Sequence, residues 1–127
     1  MENKKIKILV VDDEQPIRKI MGKFLNHFGY SFDVVSTADE ALNLLREKKY
    51  DVLFLDLNMP GTPGEVFIKE HRQEFPELRI IVMSVYYDKP QYVQEYIDKM
   101  AYAILKKPFD FDDVIKYIQK IEGELNE

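Results

Sequence analysis

Val52-Leu53-Phe54-Leu55-Asp56-Leu57-Asn58-Met59-Pro60-Gly61 is a short apolar run that ends on a carboxylate and breaks at once into turn residues. Four consecutive apolar residues without polar alternation are what a strand covered on both faces requires, and such strands belong to parallel sheets. Ile6 to Val11 (IKILVV) and Arg79 to Met83 (RIIVM) repeat the pattern. Each is followed by a polar residue, Asp12-Asp13 in one case and Ser84 in the other. Weaker strands are expected at Phe32 to Val35 and Ala103 to Leu105, the latter followed by Lys106-Lys107.

Helices fill the intervals. Ile17, Ile20, Met21, Phe24, Leu25 and Phe28 recur at helical spacing, with Pro16 suited to a first turn and Gly29 to a C-terminal cap. Thr37-Ala-Asp-Glu40 is a capping box ahead of Ala41, Leu42, Leu44 and Leu45. A third helix is expected from near Gly64 to Phe75, where Pro76 stops it, a fourth from Pro90 to about Met100, and a last from Asp110, with Phe111, Val114, Ile115, Ile118 and Ile121 inward. Five strands alternating with five helices, joined by right-handed crossovers, make a doubly wound α/β sheet.

The chain's 127 residues suit one compact domain with its core over about residues 5–121. The composition, 46% hydrophobic and 32% charged, is that of a globular protein, and no apolar run approaches the length of a membrane span. A cytoplasmic location without membrane association is the expectation. With no cysteine, any metal must be held by oxygen or histidine. A net charge of −5 argues against a direct grip on nucleic acid.

Asp12, Asp13, Asp56, Ser84 and Lys107 all fall at the carboxyl ends of strands, the edge where open parallel sheets bind ligands. Carboxylates gathered there would repel by roughly 4 kcal/mol per pair at 4 Å in an effective dielectric of about 20. A cation should therefore occupy the gap. Hard oxygen donors with neither cysteine nor histidine nearby suit Mg²⁺ (or Mn²⁺), which prefers few carboxylates plus phosphate oxygens. Phosphoryl chemistry follows. Asp56 is the expected nucleophile, raised above the sheet by the turn after it; Lys107 supplies positive charge and Ser84 a hydroxyl to the phosphoryl oxygens.

At these residues the chain resembles the receiver domains of response regulators, the CheY-like family, from about Lys5 to Ile121. The motifs are Val10-Val11-Asp12-Asp13-Glu14, Asp56-Leu57-Asn58-Met59-Pro60-Gly61, Met83-Ser84 and Lys107-Pro108-Phe109. The resemblance implies a flavodoxin-like (βα)5 sheet of strand order 2-1-3-4-5. It implies that Asp56 becomes the aspartyl phosphate, that Asp13 binds Mg²⁺ directly and Asp12 through water, and that the Asn58 backbone carbonyl is a further ligand. It also implies a cis Lys107-Pro108 bond. The implied partners are a histidine kinase or histidine phosphotransfer protein, and a downstream protein met through the face of helix 4, strand 5 and helix 5. Such a domain is a switch that assists its own phosphorylation and dephosphorylation, not an enzyme acting on a separate substrate.

Three positions depart from the family's pattern. Ile104 stands where an aromatic ring is frequent, so no ring-flip switch is expected; Val85 replaces a smaller residue after Ser84; and Lys99-Met100-Ala101-Tyr102 replaces a Gly-Ala-Asp pattern used for one kind of dimer. A different class of reading is a Mg²⁺-dependent phosphohydrolase of the haloacid-dehalogenase type, whose Asp nucleophile sits on strand one. An FMN carrier shares the fold, but an acidic first loop would repel its phosphate. His27 and His71 fall in helical patterns and are expected to be surface or packing residues. Tyr86, Tyr87, Tyr92, Tyr96 and Tyr102 gather around strand four, helix four and strand five, either half-buried in packing or forming a partner face.

Overall fold

The computed structural model describes residues 6–85 and 89–126. Its elements in chain order are β1 (Lys7–Val11), α1 (Gln15–His27), β2 (Ser31–Val35), α2 (Ala38–Glu47), β3 (Val52–Asp56), α3 (Gly64–His71), a 3₁₀ turn (Arg72–Glu74), β4 (Arg79–Ser84), α4 (Gln91–Met100), β5 (Ala103–Lys106) and α5 (Phe111–Leu125). The strands form one parallel sheet in the order β2-β1-β3-β4-β5. The chain leaves β1 towards β2 on one side and returns to pair β3 on the other, so the order reverses between β1 and β3, the crevice where such sheets bind ligands.

Strand alternation divides the core in two. Ile8, Val10, Phe54, Ile81 and Met83 point to the layer of α1 and α5, where they meet Met21, Leu25, Val114, Ile118 and Ile121. Leu9, Val11, Leu53, Leu55 and Val82 point to the opposite layer and pack on Ala41, Leu45, Phe67, Ile68 and Ile97. All five residues of β3 are buried, which accounts for the unbroken apolar run of its first four. The edge strand β2 is only half-buried, and its pattern is correspondingly weaker.

Local signals operate as their chemistry predicts. The Thr37 side chain accepts a hydrogen bond from the Glu40 amide at 3.1 Å, and Glu40 Oε1 reaches back to Thr37 Oγ1 at 3.1 Å. Gly29 takes a φ of 75°, and Tyr30 and Gly29 donate their amides to the carbonyls of Leu25 and Asn26, closing α1 in a Schellman turn. The third helix ends earlier than expected: regular α-helix stops at His71 and tightens into the 3₁₀ turn. Pro76 disfavours the α conformation at Phe75, which lies at φ −127° and ψ 67°, and the Arg72 guanidinium binds the carbonyls of Phe75 and Leu78. Ile20, expected inward, is 48% exposed; the helix's inward stripe is narrower than its apolar spacing suggests.

Candidate functional site

Among the described residues, three polar or charged side chains are fully buried: Asp12, Asp56 and Ser84. All lie at the carboxyl ends of neighbouring strands. Asp12 follows β1, its amide donating to the Val35 carbonyl at 3.2 Å. Its Oδ1 accepts from the Glu14 amide at 2.9 Å and its Oδ2 from Lys107 Nζ at 2.9 Å. Asp56 closes β3, with Oδ1 accepting from the Asn58 amide at 3.0 Å, an Asx turn that lifts the chain away and leaves the other oxygen facing the crevice. Asp13 sits exposed at the rim, and carboxylate oxygens of Asp12, Asp13 and Asp56 lie within 4.8 Å of one another.

Lys107 is the first residue after β5; its amide donates to the Ser84 carbonyl at 2.9 Å and the next bond, Lys107-Pro108, is cis. Its ammonium, on a side chain only 13% exposed, also lies 3.3 Å from Asp56 Oδ2 and 3.7 Å from Glu14 Oε1. The approach to Asp56 Oδ2 is an ion pair without hydrogen-bond alignment. That oxygen and Ser84 Oγ are the two buried side-chain oxygens that make no hydrogen bond among the described residues. Buried oxygens without a hydrogen bond at the ends of two adjacent strands are expensive unless something else binds them.

One ammonium cannot neutralise three carboxylates. Burial pushes the Asp56 carboxyl up to about 6, the nearby Asp12 adds to the rise, and the Asn58 amide and Lys107 oppose it. For Lys107, burial works to lower the ammonium's pKa, but the Asp12 hydrogen bond and the charges of Asp56, Asp12 and Glu14 outweigh it and the net shift is upward. The site therefore holds a surplus of negative charge and a set of oxygen donors without soft ligands. A hard divalent cation fits that surplus, and the Asp56 and Ser84 oxygens that make no hydrogen bond fit a group with its own donors and acceptors.

The expected site residues thus converge: Asp12, Asp13 and Asp56 cluster, Lys107 pairs with Asp12 and Asp56, and Ser84 ends the neighbouring strand with its hydroxyl making no hydrogen bond. Sequence reasoning missed Arg18, whose guanidinium donates to the Asp12 carbonyl at 2.9 Å from the first turn of α1. Val85 lines, with Glu14, Ile17, Lys107, Pro108 and Phe109, an apolar groove of about 410 Å³ beside the carboxylates. His27 and His71 lie away from the site; His71 faces Glu74 at 3.5 Å and the Phe67 ring. Of the tyrosine group, Tyr96 and Tyr102 are half-buried, Tyr92 is 74% exposed against the packing reading, and Tyr86 and Tyr87 lie outside the described residues.

The model of the response regulator receiver domain matches residues 8–119, and the chain belongs to that family. It is 32% identical over 111 residues to the DNA-binding transcriptional regulator NtrC of Klebsiella pneumoniae, covering 87% of this chain but 24% of that protein, about a quarter of its length. It is 29% identical over 114 residues to the sporulation initiation phosphotransferase F of Bacillus subtilis, covering 90% of this chain and 91% of that one. The response regulator TrrA of Thermotoga maritima, solved in complex with Mg²⁺–BeF, superposes with a TM-score of 0.79 at 30% identity over 91% of this chain and 98% of that one. The chain is thus a two-component receiver, and none of these similarities supports the haloacid-dehalogenase reading. No helix among the described residues is long and apolar enough to cross a membrane.

Proposed function

We propose that residues 1–127 make one receiver domain whose phosphoacceptor is Asp56, working with a Mg²⁺ (or Mn²⁺) ion held by Asp12, Asp13, Asp56 and the Asn58 backbone carbonyl. The observation that carries the reading is the cluster of three carboxylates within 4.8 Å, with Lys107 ion-paired to two of them and Asp56 Oδ2 making no hydrogen bond. When bound, the metal supplies charge neutralisation to the acid cluster and to phosphoryl oxygens. Asp56 Oδ2 attacks the phosphorus of a phosphohistidine on a histidine kinase or phosphotransfer protein. One O–P bond forms, the P–N bond breaks, and its electron pair stays on the leaving ring nitrogen. Lys107 shifts from the carboxylate to a phosphoryl oxygen, and the Ser84 hydroxyl donates to another. Lys107 starts as an ion pair with Asp56 at 3.3 Å, and Ser84 starts with its hydroxyl making no hydrogen bond, so neither has a hydrogen bond to Asp56 to break first. The Mg²⁺–BeF complex of the Thermotoga maritima relative supports the assignment, since a tetrahedral beryllium fluoride resembles a phosphoryl group in shape.

The output is a change in partner binding, not a released product. Ser84 and Lys107 sit at the ends of β4 and β5, so drawing them to Asp56 pulls on the face of α4, β5 and α5. A downstream protein docks there, in the cytoplasm, and nucleic acid is not touched by this domain. Ile104 in β5 makes that signal independent of an aromatic rotamer. The test is incubation with phosphoramidate, a small P–N donor. Wild type should gain a hydroxylamine-labile phosphoryl group in the presence of Mg²⁺, and Asp56→Asn should gain none. A label that survives in Asp56→Asn defeats the assignment.

A further inference from the structure

Gly64 opens α3, and the space around it is unlike that at Gly22, Gly61 and Gly123. A Cβ built there would stand 2.6 Å from Leu57 Cδ2, 2.9 Å from the Asp56 carbonyl oxygen and 2.9 Å from Leu57 Cα. At Gly22 the nearest atom is a Phe32 ring carbon at 3.5 Å, and at Gly61 and Gly123 nothing lies within 4 Å. The positive φ values belong to Gly29 and Gly61, so Gly64 is glycine for space and not for conformation.

That space matters because of what fills it. Leu57 donates its amide to the Met83 carbonyl at 3.0 Å, extending the β3–β4 ladder past Asp56, and its own carbonyl accepts from the Gly64 amide at 3.3 Å. The next amide, Asn58, holds Asp56 Oδ1 at 3.0 Å. The segment 56–58 is therefore clamped between β4 on one side and the bare first turn of α3 on the other. We propose that Gly64 is a positioning residue for phosphoryl acceptance: its missing side chain lets α3 rest directly on the Asp56-Leu57 backbone and so sets the position of the Asp56 carboxylate and the Asn58 carbonyl. This rests on Asp56 being the acceptor.

Two of the three contacts are with backbone, which cannot swing aside. To restore an ordinary carbon–carbon separation of roughly 3.5 Å from 2.9 Å, the peptide or the helix must move by about 0.6 Å. Misplacement of about 1 Å at a reacting group costs on the order of a hundredfold, so about tenfold is expected here.

The experiment compares wild type, Gly64→Ala, Leu57→Ala/Gly64→Ala and, as control, Gly123→Ala. It reads the rate of phosphorylation by acetyl phosphate and the Mg²⁺ dissociation constant from tyrosine fluorescence, each per folded molecule by circular dichroism. Gly64→Ala should lose about tenfold in rate and bind Mg²⁺ several-fold more weakly. The double variant, free of the Leu57 Cδ2 clash but not of the backbone contacts, should remain slow per folded molecule even though truncating the buried Leu57 lowers its stability. Gly123→Ala should match wild type. Wild-type rate and Mg²⁺ affinity in either folded Gly64 variant, full rescue in the double variant, or failure of both to fold would overturn the proposal and leave Gly64 a packing glycine. An adduct on wild type that is absent from Asp56→Asn keeps the acceptor assignment standing whichever way Gly64 falls.

Discussion

Replacing Asp56 by Asn should stabilise the metal-free protein at neutral pH, and the size of the gain follows from the site. The Asp56 carboxyl is pushed up to about 6 from an ordinary 3.8, chiefly by burial. An acid whose folded pKa is raised contributes stability that is fully present below its unfolded value and is lost as pH rises through the folded one. Above about pH 6 the ionised group therefore costs the fold up to about 3 kcal/mol at roughly 1.4 kcal/mol per unit. Asn keeps the shape and the Oδ1 acceptor for the Asn58 amide, and the attraction to Lys107 that it gives up is already counted in the net upward shift of the Asp56 carboxyl. A gain of up to about 3 kcal/mol is therefore expected, or several degrees in Tm for a domain of this size. Thermal melts in EDTA at pH 7.5 and pH 4.5 measure it. The variant should melt higher at pH 7.5, the gap should shrink to about a third at pH 4.5, which lies between the unfolded and folded values, and Mg²⁺ should raise the wild-type Tm while moving the variant's little. A variant less stable than wild type at pH 7.5, or a gap indifferent to pH, would refute the reasoning.

The other residues give sharper contrasts. Lys107→Ala strips the ammonium from two buried carboxylates and should cost about 3 kcal/mol in urea unfolding without metal, with Mg²⁺ restoring a large part. Thr37→Ala removes the α2 cap and should cost about 1 kcal/mol while leaving the phosphorylation rate unchanged. Tyr30→Phe deletes the 2.7 Å hydrogen bond to Glu122 and should cost about 1 kcal/mol. Burial first, and Glu122 second, raise the Tyr30 phenol, so its contribution is present below about pH 10 and lost as pH rises further. Denaturation midpoints across pH 8 to 11 should therefore converge for wild type and Tyr30→Phe.

The strands were legible where both faces are covered, because β1, β3 and β4 have no polar side to interrupt the apolar run. The site was legible for a related reason. In a sheet whose interior tolerates few polar atoms, Asp12, Asp56 and Ser84 could hardly be buried at strand ends by accident. The end of α3 was harder to read, since Glu74 and Phe75 continue the helical pattern while Pro76 and the Arg72 guanidinium redirect the backbone. For Tyr92 the choice between packing and an exposed face was open, because helical spacing says nothing of whether the neighbouring face is covered; with Val66 and Tyr96 it lines a shallow groove and stays 74% exposed. Arg18 and Gly64 act through backbone atoms, Arg18 on the Asp12 carbonyl and Gly64 on Asp56-Leu57. A side-chain pattern carries no trace of such contacts, which need the coordinates of the main chain.

Intact mass after incubation with acetyl phosphate tests the central claim most directly, run on wild type with Mg²⁺, wild type with EDTA, and Asp56→Asn with Mg²⁺. The account predicts one phosphoryl adduct in the first sample and none in the other two. An adduct that persists in EDTA or in Asp56→Asn, or none in any sample, would contradict it.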